Sequence, residues 1–173
     1  MTLVLTRSDV QSLLDLPACI DAVERAFLRH AEGDVISPAV LGAHAHAGGF
    51  HTKTAGLHGS GAADRATFVA KVNSNFPGNP ARHGLPTIQG VIALFDAENG
   101  ELLALLDSME ITSVRTAAAT AVAAKHLARA DAGVVTVCGC GEQGRSQLRA
   151  VACVRSVRRA MAFDASAERA ASY

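Results

Sequence analysis

Three glycines raise the first chemical question in this 173-residue chain. Gly139, Gly141 and Gly144 stand at G-x-G-x-x-G spacing in Gly139-Cys140-Gly141-Glu142-Gln143-Gly144. An apolar, strand-like run, Val134 to Cys138, precedes them, and a helical pattern from Gln143 to Val154 follows. In that context Gly139 permits a tight turn, Gly141 lets the backbone approach a diphosphate, and Gly144 allows a helix to lie close to a strand. The unpaired amides opening the helix, those of Glu142 and Gln143 among them, then face the phosphates. Arg159 to Phe163 reads as a second strand ending at Asp164, about 20 positions past the turn, where a carboxylate hydrogen-bonds ribose hydroxyls. These residues together predict a βαβ unit that holds a nicotinamide dinucleotide. Asp164 repels a 2′-phosphate and favours NAD, while the adjacent Arg158 and Arg159 leave NADP open. The alternative is a glycine turn in another kind of α/β protein, with Asp164 a solvated loop residue.

Two cations stand in apolar surroundings. Lys71 interrupts the strand-like stretch leading into Asn73-Ser74-Asn75-Phe76-Pro77. It is either functional or an edge-strand lysine that discourages aggregation. Arg115 is the only charge between Glu110 and Lys125, at the start of an Ala-rich segment. Its partner is either a ligand carboxylate, held by two parallel hydrogen bonds, or Asp107 or Glu110 nearby. Thr87 ends the turn Gly84-Leu85-Pro86-Thr87, and Thr116 follows Arg115 directly. His44, His46 and His51 lack the acidic or cysteine companions expected of a metal site. Lys53 shares a strand face with His51. Cys140 fills a variable slot of the glycine motif.

The elements that must carry these residues are legible in outline. Ser8 and Asp9 read as a helix start, and Pro17 opens a second helix with Ile20, Val23 and Phe27 on one face. Val35 to Val40, with Pro38, fits an edge strand. Residues 41–49 read as a loop, Phe50 to Ala55 as a strand, and Thr67 to Val72 and Ile88 to Phe95 as further strands. A long Asn/Gly/Pro loop joins the last two. Glu101 to Leu106 completes a hairpin, and Thr112 to Ala130 is a helix apolar on most sides, which predicts burial. The fold class is therefore α/β: a mixed α+β domain over residues 1–130, then the first βαβ unit of a Rossmann domain over residues 131–173.

Composition narrows the setting. Hydrophobic residues make up 49 %, charged residues 18 %, and the formal net charge is zero. No basic face suggests nucleic acid, and no apolar run is long enough for a bilayer. The four cysteines form no CxxC pair and read as reduced thiols. MTLVLTRSDV has no signal-peptide pattern, so a soluble, cytoplasmic protein is expected.

Taken together, FHTKTAG, AKVNSNFPGNP, GLPTIQGVIALFDAENGELLALLDS, EITSVRTAAATAVAAKHLAR and VCGCGEQGR resemble the ornithine cyclodeaminase/mu-crystallin family, in its order and spacing. The resemblance implies a homodimer in which each subunit pairs a substrate and dimerisation domain with a Rossmann domain. It implies that Arg115 and Lys71 bind an amino acid or cyclic imine, Arg115 at the carboxylate, with Thr87 and Thr116 near the cofactor and Lys53 a further basic contact. It also implies hydride movement between Cα and nicotinamide, as in ornithine cyclodeaminases, alanine dehydrogenases and cyclic-imine reductases. The activity expected first is that of an ornithine-cyclodeaminase-like, NAD-dependent enzyme, in which the side-chain amine attacks the imine and ammonia leaves, with a cyclic-imine reductase or alanine dehydrogenase of the same family as the alternative. A non-catalytic, mu-crystallin-like binding or dimerising protein is the alternative of another class. Many relatives carry an Arg shortly after the proline of the first strand, whereas Pro38 here is followed by Ala39 and Val40, leaving Lys53 as a substitute. Relatives run to roughly twice this length, with the rest of the Rossmann sheet and a catalytic Asp. The chain is thus expected to be truncated and to show little or no turnover by itself.

Overall fold

The computed structural model describes residues 1–59 and 64–173. The chain forms two compact units: Met1–Leu13 with Leu28–Ile111, and Leu14–Phe27 with Thr112–Tyr173.

The first unit is built on a six-stranded sheet of β1 (Leu3–Leu5), β2 (Val35–Ala45), β3 (Gly48–Leu57), β4 (Thr67–Asn75), β5 (Ile88–Asp96) and β6 (Leu102–Asp107). Its spatial order is β1-β6-β5-β4-β3-β2. β1 runs parallel to β6, and every other pairing is antiparallel. The helix α1 (Arg7–Leu13) starts one residue before the expected Ser8 because Thr6 caps it. Asp9 accepts the Thr6 amide at 2.9 Å, and the Asp9 amide returns to the Thr6 hydroxyl at 3.4 Å. This is a reciprocal cap that the sequence spells one step earlier than the acidic residue.

Strand boundaries moved most. The expected loop at 41–49 is mostly ladder: β2 runs on to Ala45 and pairs with Gly48 across the two residues His46 and Ala47. Ala and Gly carry almost no hydrophobic pattern, so periodicity is silent there, whereas backbone pairing needs no side chain. Pro38 lies at a register shift between Ile36 and Ala39 on the edge strand, where a missing N–H costs no ladder bond. The expected Asn/Gly/Pro loop contributes Asn73–Asn75 to β4 and contains the short helix α3 (Asn79–His83), closed by Gly84 at φ 65°. The strand β1 was not anticipated. It has three residues, too few to show alternation. Asp96 closes the β5–β6 hairpin from inside: it accepts the amides of Glu98 and Asn99 and a hydrogen bond from Arg65.

The second unit comprises most of α2 (Leu16–Ala31), most of α4 (Ser108–Leu127), the parallel pair β7 (Val134–Cys138) and β8 (Arg159–Phe163), α5 (Glu142–Val154) and α6 (Ala167–Ala171). The β7–α5–β8 order is the expected βαβ unit, with Val134 opposite Arg159 and Cys138 opposite Phe163. Its core is a seam of small residues. Ala117, Ala118 and Ala121 of α4 and Ala150 of α5 have no exposed surface, and Ile20 of α2 joins them. Alanine on facing helices lets backbones approach closely. The helix α4 begins at Ser108, four residues before the expected start, because Ser108 is wholly buried and bonds the Asn73 side chain at 2.8 Å. A division at residue 130 would keep α4 with the preceding strands. Its alanine face, however, packs with Leu16, Cys19 and Val23 of α2 and with Val154.

The seam predicts intolerance to bulk. Ala118→Leu should destabilise the second unit by about 1–3 kcal/mol, read as a lower urea midpoint with an unchanged slope. Wild-type stability in that variant would contradict the packing described.

Candidate functional site: the glycine turn and the lysine row

The turn after β7 is shaped by absent side chains. Gly139 has φ 104°, a left-handed conformation that L side chains rarely adopt. At Gly144 a Cβ would overlap the Gly139 carbonyl oxygen and press on Val137. The helix α5 therefore rests directly on the turn. Gly141 differs from both: its φ is −81°, and a Cβ there would meet no protein atom within 4 Å. Gly141 is the N-cap of α5 and provides no side-chain cap. The amides of Glu142, Gln143 and Gly144 thus open outward with no intrahelical acceptor, at the positive end of the helix.

The end of β8 is bonded to this turn. The Gly139 amide donates to the Phe163 carbonyl at 2.7 Å, and the Cys140 amide donates to Asp164 at 2.8 Å. The second oxygen of Asp164 accepts the Ser166 amide at 2.9 Å. These two amides, Ser166 first and then Cys140, hold the Asp164 carboxyl below its ordinary value, and the charge of Arg169 adds to them against a smaller opposing effect of burial. A cleft of about 520 Å³ opens here, lined by Gly139, Gly141, Gln143, Gln147, Asp164 and Arg169 among others. The structure thus brings Gly139, Gly141, Glu142, Gln143, Gly144 and Asp164 together at one end of a parallel strand pair.

Arg169 and Gln147 were not anticipated. Both were readable in principle: Gln147 is one helical turn past Gln143, and Ser166 caps α6 by accepting the Arg169 amide, which turns Arg169 back toward Asp164. Arg158 and Arg159, weighed as 2′-phosphate contacts, lie at the opposite end of β8. Arg158 packs over Gly133 and bonds the Asp131 carbonyl at 3.4 Å. Four strand residues lie between Arg159 and Asp164, a separation of about 16 Å at the usual rise. At the glycine end α6 is fastened to α5: the Tyr173 hydroxyl donates to the Gly144 carbonyl at 2.8 Å, and Arg145 stacks over the Tyr173 ring.

In the first unit, register brings the basic candidates together. Lys53 of β3 is directly opposite Lys71 of β4, and His51 is opposite Asn73. All four side chains share one face of the sheet. Lys53 and His51 are exposed, and Lys71 and Asn73 are half-buried. Thr87 precedes β5, and its carbonyl accepts the Phe76 amide at 2.8 Å.

Arg115 and Thr116 belong to the second unit. Thr116 donates its hydroxyl to the Thr112 carbonyl at 2.6 Å. Arg115 was expected to be buried, and it is exposed. Thr112 to Ala130 is rich in alanine, and the stripe formed by Ala117, Ala118 and Ala121 faces inward while Arg115 lies off it. The structural pairing with Asp107 or Glu110 is absent as well. Asp107 accepts the Met109 amide, and Glu110 is within 3.8 Å of Arg7. Among the described residues no helix is long and apolar enough to cross a membrane.

Comparison with known proteins bears on this geometry. The family model described as ornithine cyclodeaminase/mu-crystallin family matches residues 1–173. An alanine dehydrogenase of Archaeoglobus fulgidus is 36 % identical over 163 residues, covering 94 % of this chain and 48 % of its own. A solved archaeal alanine dehydrogenase dimer with bound NAD superposes with a TM-score of 0.92 at 34 % identity, covering 99 % of this chain and 51 % of its own. The Thermococcus litoralis Δ1-pyrroline-2-carboxylate reductase, in complex with NADH and L-proline, gives 0.86 at 34 % identity, covering 99 % and 52 %. The chain thus spans about half the length of these relatives.

Asp164 implies a pH dependence of stability. Its folded-state value is depressed, so its contribution is complete above the ordinary carboxylate value and is lost as pH falls through the depressed one. Wild type should melt above Asp164→Asn at neutral pH, and the gap should close below about pH 4. A gap that is constant with pH would show that the carboxylate charge plays no part. Gly144→Ala should lower the melting temperature markedly, because the added methyl overlaps backbone rather than a movable side chain.

Proposed function

Because the chain belongs to the ornithine cyclodeaminase/mu-crystallin family, we propose that it binds NAD(H) at the glycine turn and forms part of an enzyme that oxidises or reduces an amino acid or its imine at Cα. The observation that carries this reading is Gly141. The backbone conformation at 139 and the close packing at 144 demand glycine, but nothing among the described residues demands it at 141, where a side chain would enter open space before uncapped helix amides. A diphosphate lying against that backbone supplies the missing reason. The residues fit the group: the amides of residues 142–144 would take the diphosphate, and Asp164 the ribose hydroxyls. Each Asp164 oxygen accepts one amide in this structure and keeps lone pairs to spare. The bound nicotinamide would supply or accept the hydride.

The chain's own residues account for the other half of the site. Arg115, exposed and without a carboxylate partner among the described residues, is suited to two parallel hydrogen bonds with a substrate carboxylate. Lys71 and Lys53 add positive potential, Lys71 beside the carboxylate or the reacting nitrogen. In that role these cations orient the acid and hold its charge; proton transfer at the nitrogen is assigned to Lys71. NAD is favoured over NADP by Asp164, with Arg169, among the described residues, the cation that lines the cleft beside it. A homodimer accords with the archaeal alanine dehydrogenase. Dehydrogenation or imine reduction is preferred to cyclodeamination, because an alanine dehydrogenase and a pyrroline-2-carboxylate reductase are among the relatives that match nearly the whole chain at 34 % identity or more.

The first test is a fluorescence titration with NADH. Gly141→Ala should weaken binding by at least about tenfold while leaving the melting temperature at the wild-type value. Equal affinity in the two proteins would remove the central support. In the full-length protein, Arg115→Met should raise KM for the amino acid on the order of 10²-fold with NADH affinity unchanged. Net consumption of NADH with a cyclic imine would separate a reductase from a cyclodeaminase, which returns its cofactor unchanged.

A further inference from the structure

A buried hydroxyl sets the orientation of a side-chain amide on the face that carries Lys53 and Lys71. Ser108 opens α4 with no exposed surface, and its hydroxyl donates to Oδ1 of Asn73 at 2.8 Å. Gly90 lies directly opposite Asn73 on β5. A Cβ there would overlap the Val72 carbonyl oxygen, and would come within 2.6 Å of Asn73 Oδ1 and 2.7 Å of Ser108 Oγ. A glycine, a small hydroxyl and an amide are thus fitted to one place, and all three belong to the first unit. With Oδ1 taken by Ser108, the NH2 on the other side of the same planar group is directed away from it. Asn73 is half-buried, and among the described residues its Nδ2 has no partner and is not shut off from solvent.

The neighbours of Asn73 on this face are Lys71, two residues back on β4, and His51, directly opposite on β3. An aspartate at 73 would accept the same Ser108 hydroxyl and would add a negative charge beside those groups. A bond that only fastened α4 to the sheet would be served by either residue. The neutral amide keeps the positive potential of the face and adds two N–H donors to it. Donors placed among cations suit an anionic acceptor. A carboxylate offers about four lone-pair sites, so it can accept from a guanidinium and still take another donor. An amide already held in the donating orientation loses little freedom when it binds. We infer that Asn73 is a substrate-binding residue whose Nδ2 donates to the carboxylate of the amino or imino acid, and that Ser108 is the positioning residue that aims it. This assignment rests on the amino-acid reading above.

The test uses the full-length protein that carries this chain, saturated with NADH, and calorimetric titration with L-alanine, L-proline and L-ornithine. For the acid that wild type binds best, Asn73→Ala should weaken binding at least about tenfold, the loss of one hydrogen bond to a charged group. Asn73→Asp should weaken it at least as much. That variant keeps an acceptor for Ser108, so it reports even if the alanine variant folds poorly. NADH affinity should stay at the wild-type value in both. Ser108→Ala should also weaken the amino acid, and should add nothing further in the Asn73→Ala background, because it acts through that amide. Wild-type affinity in Asn73→Ala or Asn73→Asp, a parallel loss of NADH affinity, or additive losses in the double variant would each overturn this inference and leave the cofactor and amino-acid reading standing. Binding of NADH by wild type with none of the three acids would overturn both.

Discussion

The contact between Gly144 and the Gly139 carbonyl governs the second unit. With no Cβ at 144, the first turn of α5 lies on the loop that ends β7, and the left-handed conformation at Gly139 turns that loop tightly enough to be covered. Three consequences follow from one missing side chain. The first amides of α5 open at the turn without a side-chain cap. The Cys140 amide is presented to Asp164, which ties the end of β8 to the turn. The helix is also close enough for Ala150 to reach the alanine face of α4. A larger residue at 144 would lift the helix and loosen all three at once.

The two regions of interest attract negative charge by different means. At the glycine turn the positive potential comes from peptide dipoles, which need no counter-ion and are held by the fold itself. On the sheet it comes from side-chain ammonium groups brought together by register. The first arrangement suits a large, multiply charged group approached by backbone. The second suits a small acid whose charge can be matched by one or two flexible cations. Asp164 is the carboxylate bonded to the turn, whereas Glu142 at the start of α5 is exposed. Backbone amides hold Asp164 ionised, so its position is settled before any ligand arrives.

Elements with a strong pattern were legible in the sequence, and those without one were not. The run Val134 to Cys138, the glycine spacing and the acidic residue closing the next strand were read correctly, because each step has a local steric reason. So was the edge position of the Pro38 strand, since proline lacks the donor an inner strand requires. The boundaries of β2 and β3 escaped because Ala43, Ala45, Gly48 and Gly49 carry no amphipathic signal. The brief β1 escaped because three residues cannot show a period. Arg115 shows a deeper limit. Its apolar neighbours in sequence implied burial, but a helix has several faces, and only the one carrying Ala117, Ala118 and Ala121 turns inward. The pairing of Lys53 with Lys71 was invisible for another reason: shared faces within one strand can be read from sequence, whereas the register between strands depends on turn lengths and bulges.

The three glycines of the turn are alike in sequence and unlike in what they answer to. Two are enforced by the protein's own atoms, so any descendant that still folds must retain them. A Cβ at the middle one would meet no described atom within 4 Å, and on the proposed reading its small size answers to a bound diphosphate. A lineage that had given up its ligand would therefore drift at residue 141 long before residues 139 or 144, which makes that position an internal register of use, separate from the record of mere foldedness kept on either side of it.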